Sequence, residues 1–196
     1  DSTYRKYDGG PEAEPVLAKA KGLNRFVWNM RHQTIPGVPG VYIESNYHGH
    51  KAAPGKYSIT VTRGGQTIST EAEILANPLY PTTAAEYKEY DEVMTGMETA
   101  VTDMHNMVNL INAKRLQLET LAGEINTDKN KALKTEADSL VRKMKAWDTD
   151  MVQRKMQAYD DAENFENKFT ANYLFLLNQT ESDIPKVNQP SLDLMK

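Results

Sequence analysis

Residues 82 to 184 contain no proline and only two glycines, Gly96 and Gly123, whereas seven of the nine prolines and nine of the eleven glycines fall in residues 1–81. A stretch of that length without a helix breaker leaves little besides long helices open to it. The preceding segment has the punctuation of turns and strands. Charge divides at the same place. Residues 1–81 carry nine Lys/Arg against seven Asp/Glu, and residues 82–196 carry fourteen against twenty. Two modules are the resulting expectation, a β-containing one at 1–81 and a helical one at 82–196, which makes the fold class α+β.

The helical half begins with Thr83-Ala84-Ala85-Glu86, the spacing of a capping box, in which the Thr hydroxyl accepts from the Glu86 amide and the Glu side chain reaches back to the Thr83 amide. Tyr90, Met94, Met97, Val101, Met104, Val108, Ile111, Arg115 and Leu118 then recur at spacings of four and three. That is a heptad seam interrupted by Arg115. It predicts a helix from Ala84 to about Ala122, roughly 60 Å long at ~1.5 Å per residue, with Gly123 placed to stop it. A second helix is expected from Thr127-Asp128 with Leu133, Ala137, Leu140, Met144, Trp147 and Met151 on its seam. A third carries Phe165, Phe169, Tyr173, Leu174, Leu176 and Leu177 and ends before Pro185. Short connections make this an antiparallel, up-down-up three-helix bundle. Ser191-Leu192-Asp193-Leu194 reads as the capped start of a further helix.

In the first half, Phe26, Trp28 and Met30 alternate with Arg25, Val27 and Asn29, the period of a strand with one buried face. Tyr57, Ile59 and Val61 repeat that pattern. Gly64-Gly65 supplies the positive φ of a tight hairpin, and Thr67 to Ile74 returns as its partner. Ala53-Pro54-Gly55-Lys56 has the residues of a type II turn. A short strand is expected at Val41 to Glu44, and residues 1–15 read as a loosely held lead-in. About four strands in ~80 residues make an incomplete immunoglobulin-like unit, since a full sandwich has about seven. Such a sheet leaves an open edge and an uncovered apolar face.

Composition excludes several function classes. No apolar run approaches the ~18 to 20 residues of a membrane-spanning helix. A formal net charge of −4 without a basic cluster argues against nucleic acid as a partner. The chain has no Cys, which removes disulfides and thiol chemistry. It opens at Asp1 without an initiator Met and closes on what reads as the first turn of a helix, so a segment of a longer protein is expected.

Each chemical candidate has a plainer reading beside it. His48-Gly49-His50 is a pair that can offer two nitrogens to a metal, with His32 or Glu44 as distant third ligands; a solvent-exposed loop is favoured. His105, one position off the seam, reads as a helix-flank residue making a polar contact. Asp160-Asp161 and Glu163 with Glu166 offer the paired carboxylates that glycosidases use, but on a charged helical region they read as a solvated face. Seven of the nine methionines lie between 94 and 156 and read as bundle core in preference to a partner-binding groove. Trp28, Tyr42 and Tyr47 could form an aromatic platform for carbohydrate, with inward-facing core as the alternative for Trp28. Asn178-Gln179-Thr180 fits a glycosylation sequon at a helix end. No catalytic, cofactor-binding or metal-ligating residue is assigned.

The run Gly22-Leu23-Asn24-Arg25-Phe26-Val27-Trp28-Asn29-Met30-Arg31, the segment Ala53 to Val61 and the helix containing Met104-His105-Asn106-Met107-Val108-Asn109 together resemble the C-terminal region of bacterial sortilin-like BNR-repeat β-propeller proteins, often labelled glycosyl hydrolases. The resemblance covers nearly the whole chain. It implies the second half of an immunoglobulin-like domain of the flagellar hook-capping type followed by a helical segment, with earlier strands upstream. It also implies a secreted, periplasmic or outer-surface location, and an upstream propeller or a partner chain as the binding partner. Glycoside chemistry implied by the label would belong to the propeller, so no catalytic residue carries over. A non-catalytic accessory module is the expected function, with a carbohydrate-binding module and, less favoured, a glycoside hydrolase as alternatives.

Overall fold

The computed structural model describes residues 9–182 and 184–194, so part of the expected lead-in and the last two residues lie outside the described residues. The fold is α+β: β1 (Gly55–Arg63) and β2 (Gln66–Ile74) form a two-stranded antiparallel sheet, followed by α1 (Ala84–Glu124), α2 (Thr127–Met151), α3 (Phe169–Thr180) and α4 (Gln189–Leu194), with a 3₁₀ turn at Tyr159–Glu163.

The strongest local signals form as expected. Gly64 and Gly65 sit at φ +55° and +80°, the left-handed pair that closes a two-residue hairpin whose twist matches its strands. Pairing runs without a bulge from Gly55 opposite Ile74 to Arg63 opposite Gln66. At the start of α1, Thr83 Oγ1 accepts from the Glu86 amide at 3.2 Å and the Glu86 carboxylate accepts from the Thr83 amide at 2.8 Å. The Thr83 amide and hydroxyl donors hold the Glu86 carboxyl below its ordinary pKa.

The other expected strands do not form. Residues 25–29 have no regular secondary structure and no sheet partner, and Met30 sits at φ +58° while the Asn29 side chain accepts from the Arg31 amide at 3.0 Å. Trp28 is 41% exposed, Phe26 46% and Met30 52%, so the alternating face is not core. Its period of two is real, but apart from an edge-on contact between Trp28 and Tyr57 the face stays about half exposed. Val41 and Ile43 are buried without strand pairing. The expected four-stranded partial sandwich is thus a single hairpin among the described residues.

Hydrophobic burial lies elsewhere. The irregular segment carrying Ile35, Val38, Val41, Ile43 and Tyr47 packs against Tyr90, Met94, Met97, Val101 and Val108 of α1 and against Ala171, Leu174 and Leu177 of α3, in one core that draws on both sides of residue 81. The buried stripe on α1 is Tyr90, Met94, Met97, Val101, His105 and Val108. From Tyr90 to Val108 the stripe advances eighteen positions in five turns, the 3.6-residue period of a straight helix. The heptad seam therefore fails at its fifth position, where His105 is buried and Met104 only partly so. In α2 the buried face runs through Ala137 and Val141, and Leu133 and Leu140 are exposed.

Gly123 lies within α1 and does not end it. The break falls at Ile125, and Asn126 caps α2 by accepting from the amides of Asp128 and Lys129. The up-down-up connection also needs correction. Residues 152–168 are no short turn. Thr170 at the start of α3 donates to the carbonyl of Met151 at the end of α2, while the Ser182 amide beyond α3 donates to Tyr90 near the start of α1. α2 and α3 therefore lie in succession along α1, both running opposite to it. Phe165 precedes α3, and α4 is capped by Asn188, which accepts from the Ser191 amide at 2.9 Å.

Candidate functional site

The chain from Met30 to Ile35 lies beside the chain from Tyr47 to Ala52, running antiparallel. The His32 amide donates to His50 O, the Ala52 amide to Met30 O and the Ile35 amide to Tyr47 O, at 2.8–2.9 Å. The pairs 32:50 and 35:47 are three residues apart, an odd interval that breaks the two-residue pleat between them. Tyr47 and His50 both point inward as a result, and His48 is left exposed. Between them Gly49 meets its neighbour so closely that an added Cβ would stand 2.5 Å from the His32 carbonyl carbon. Only glycine allows this approach. Arg31 clamps the same point: its Nη1 donates to Gly49 O at 2.9 Å and to the Glu181 carboxylate at 2.7 Å.

This geometry stacks His32 on His50, with ring centroids 4.0 Å apart and planes 20° from parallel. His50 is fully buried, with Tyr90 edge-on to its ring. Two carboxylates from α1 close the cluster. His50 Nδ1 lies 2.8 Å from Glu98 Oε1, which also accepts from the His50 amide. His50 Nε2 lies 3.1 Å from Asp91 Oδ1, and His32 Nε2 lies 3.6 Å from that same oxygen. Burial opposes charge on His50, but the hydrogen bonds and charges of Glu98 and Asp91 outweigh it, and the imidazole pKa is raised. Tyr90, whose hydroxyl accepts from Ser182, is pushed up to about 12 by burial. Glu98 is largely enclosed, whereas His32 and Asp91 reach solvent, and a groove of roughly 360 Å³ lined by His32, Thr95, Glu98 and Thr102 opens beside them.

The structure thus separates the His48/His50 pair and brings together His50, His32, Glu98 and Asp91, while Glu44 is exposed and plays no part. Asp91 and Glu98 escaped sequence reasoning. Their signal was present: seven residues apart, each directly following a seam position (Tyr90, Met97), they share one face of α1.

The remaining candidates serve the fold. Tyr47 is buried in the core, Tyr42 partly buried, and Trp28 meets Tyr57 edge-on at 5.8 Å, so these rings form no common platform for a sugar. Asp161 accepts from the amides of Gln157 and Ala158 in the 3₁₀ turn, and Glu166 is exposed beside Lys168. Asn178 of the sequon donates to Asn46 O and Leu174 O. Met94, Met97 and Met156 are buried. Among the described residues no helix is long and apolar enough to cross a membrane. Compared with family models, curated proteins and solved structures, the chain finds no match.

Proposed function

We propose that the chain is a non-catalytic accessory module of a secreted or cell-surface bacterial protein of the sortilin-like BNR-repeat propeller type, and that the β1–β2 hairpin is the arm by which it packs on the propeller or on a partner chain. One observation carries this reading. The register places Tyr57, Ile59 and Val61 opposite Ala72, Thr70 and Ile68 on one face of the hairpin, with Lys56, Ser58, Thr60 and Thr62 on the other. Tyr57 meets Trp28, but the rest of the apolar face is open: Ile59 is 47% exposed, Val61 43% and Ile68 74%.

A lone two-stranded sheet is marginal in water and gains stability when a third strand or an apolar surface covers it. Both of its edges are open to strand addition. Covering three large aliphatic side chains that are now 43–74% exposed contributes on the order of a few kcal/mol, enough for a specific docking contact.

The coding sequence flanking residues 1–196 supplies the first test, because it must encode propeller repeats. Residues 1–196 and that propeller are then produced as separate polypeptides and mixed. The expected result is a one-to-one complex by sedimentation, weakened at least tenfold by Ile68→Lys, with slowed amide exchange in the hairpin. A complex indifferent to Ile68→Lys, or none at micromolar concentration, sinks the reading.

A further inference from the structure

We infer that His32, His50 and Asp91 form a binding site for a divalent transition metal of the zinc type, with Glu98 positioning His50 behind it. The inference is independent of the hairpin. Two imidazole nitrogens and a carboxylate oxygen are the donor set that suits zinc and its first-row neighbours. Donors 2.0–2.2 Å from a tetrahedral ion stand about 3.4 Å from one another. Asp91 Oδ1 lies 3.1 Å from His50 Nε2 and 3.6 Å from His32 Nε2, which brackets that spacing for these two pairs, and the solvent-reaching His32 ring has to tilt out of its stack on His50 to aim its lone pair at the same ion.

The two carboxylates are not equivalent. Donor atoms of His32, His50 and Glu98 also lie within 4.8 Å of one another, but Glu98 Oε1 already accepts from both the amide and Nδ1 of His50. Those bonds fix the ring and place a proton on Nδ1, while Nε2, which faces the Asp91 carboxylate at 3.1 Å, gives up its own proton when a metal takes that place. A carboxylate behind a histidine ligand commonly plays this part. Asp91 lies on the Nε2 side, where solvent can supply the fourth ligand and a route of entry. Backbone pairing holds residues 32 and 50 side by side, because the His32 amide is bonded to His50 O and Gly49 permits the close approach.

The test uses the full chain stripped with a chelator and titrated calorimetrically with Zn²⁺, and with Co²⁺ for its visible absorption. One ion per chain at micromolar affinity or tighter is expected. Substitutions are made at the solvent-reaching ligands His32→Ala and Asp91→Asn, since His50→Ala empties a buried position and risks the fold, and far-UV circular dichroism confirms each variant's helix content. Each should weaken Zn²⁺ binding at least tenfold, and His48→Ala should leave it unchanged. Glu98→Gln should weaken binding by roughly 10- to 100-fold while retaining the Co²⁺ band shape, which Asp91→Asn alters. The site is overturned if the wild-type chain binds less than one equivalent, or if wild-type affinity survives either His32→Ala or Asp91→Asn. An altered band in Glu98→Gln overturns the division between ligand and positioning carboxylate.

Discussion

His50 and His105 are both fully buried imidazoles, and their neighbours drive them in opposite directions. His50 faces two carboxylates. His105 faces the Pro36 carbonyl at 2.7 Å and the ring of Tyr47. A carbonyl only accepts, so His105 Nδ1 carries the proton, and Nε2 is left buried without a partner. Burial is the larger influence and lowers the His105 pKa, with the Pro36 bond opposing it. Between the ordinary value of about 6.5 and the lower folded value, the folded state binds fewer protons than the unfolded state. The contribution of neutral His105 is therefore whole above about pH 6.5 and lost as pH falls through the folded pKa. Urea unfolding at pH 7.5 and pH 5 should show the stability advantage of the wild-type chain over His105→Gln shrinking on acidification. An advantage equal at both pH values would show that His105 is not held neutral. From sequence, His105 was identifiable only as a polar residue beside the seam. Its burial depends on Pro36, 69 residues away along the chain.

At the scale of elements, the features legible in sequence were those decided within a few residues. The Thr83 capping box, the Gly64-Gly65 hairpin and the Pro-free run of α1 all formed where expected. Each rests on backbone geometry that neighbouring side chains set directly. Thr83→Ala should cost about 1 kcal/mol, read as a lower denaturation midpoint at unchanged slope in urea. A shift within error would mean that the first turn of α1 frays without consequence for the core. The strand expected at Phe26–Met30 fails for a different reason. Period two reports only which side chains share a side, and a strand needs a hydrogen-bonding partner that no local pattern specifies. The helix stop expected at Gly123 is similar, because glycine permits a left-handed end without requiring one.

For the whole molecule, the decisive feature is a core shared between irregular chain and helices. Ile35, Val38, Val41 and Ile43 have no regular secondary structure, yet they are as buried as the α1 stripe they meet. Leu174, fully buried in α3, touches this core, and Leu174→Ala should cost about 2–5 kcal/mol through lost contacts and a residual cavity. If the core is one cooperative unit, hydrogen exchange in that variant should quicken together at Ile35, whose amide bonds to Tyr47 O, and at the middle of α1. Faster exchange confined to α3 would show that the irregular segment holds independently.

The sequence by itself determined the α+β class, the hairpin and its turn, and the extent and capping of the long helix, because these follow from φ/ψ preferences and short-range hydrogen bonds. It also indicated an uncovered apolar sheet face. Only the tertiary structure decided which side of each element faces inward. Burial depends on what lies opposite, and the irregular segment 35–47 moved the buried stripe onto His105. The histidine cluster belongs to the same level. His50 stood in a visible His-x-His pair, but its partners come from residues 32, 91 and 98, and their approach depends on a break in the pleat and on the missing Cβ of Gly49.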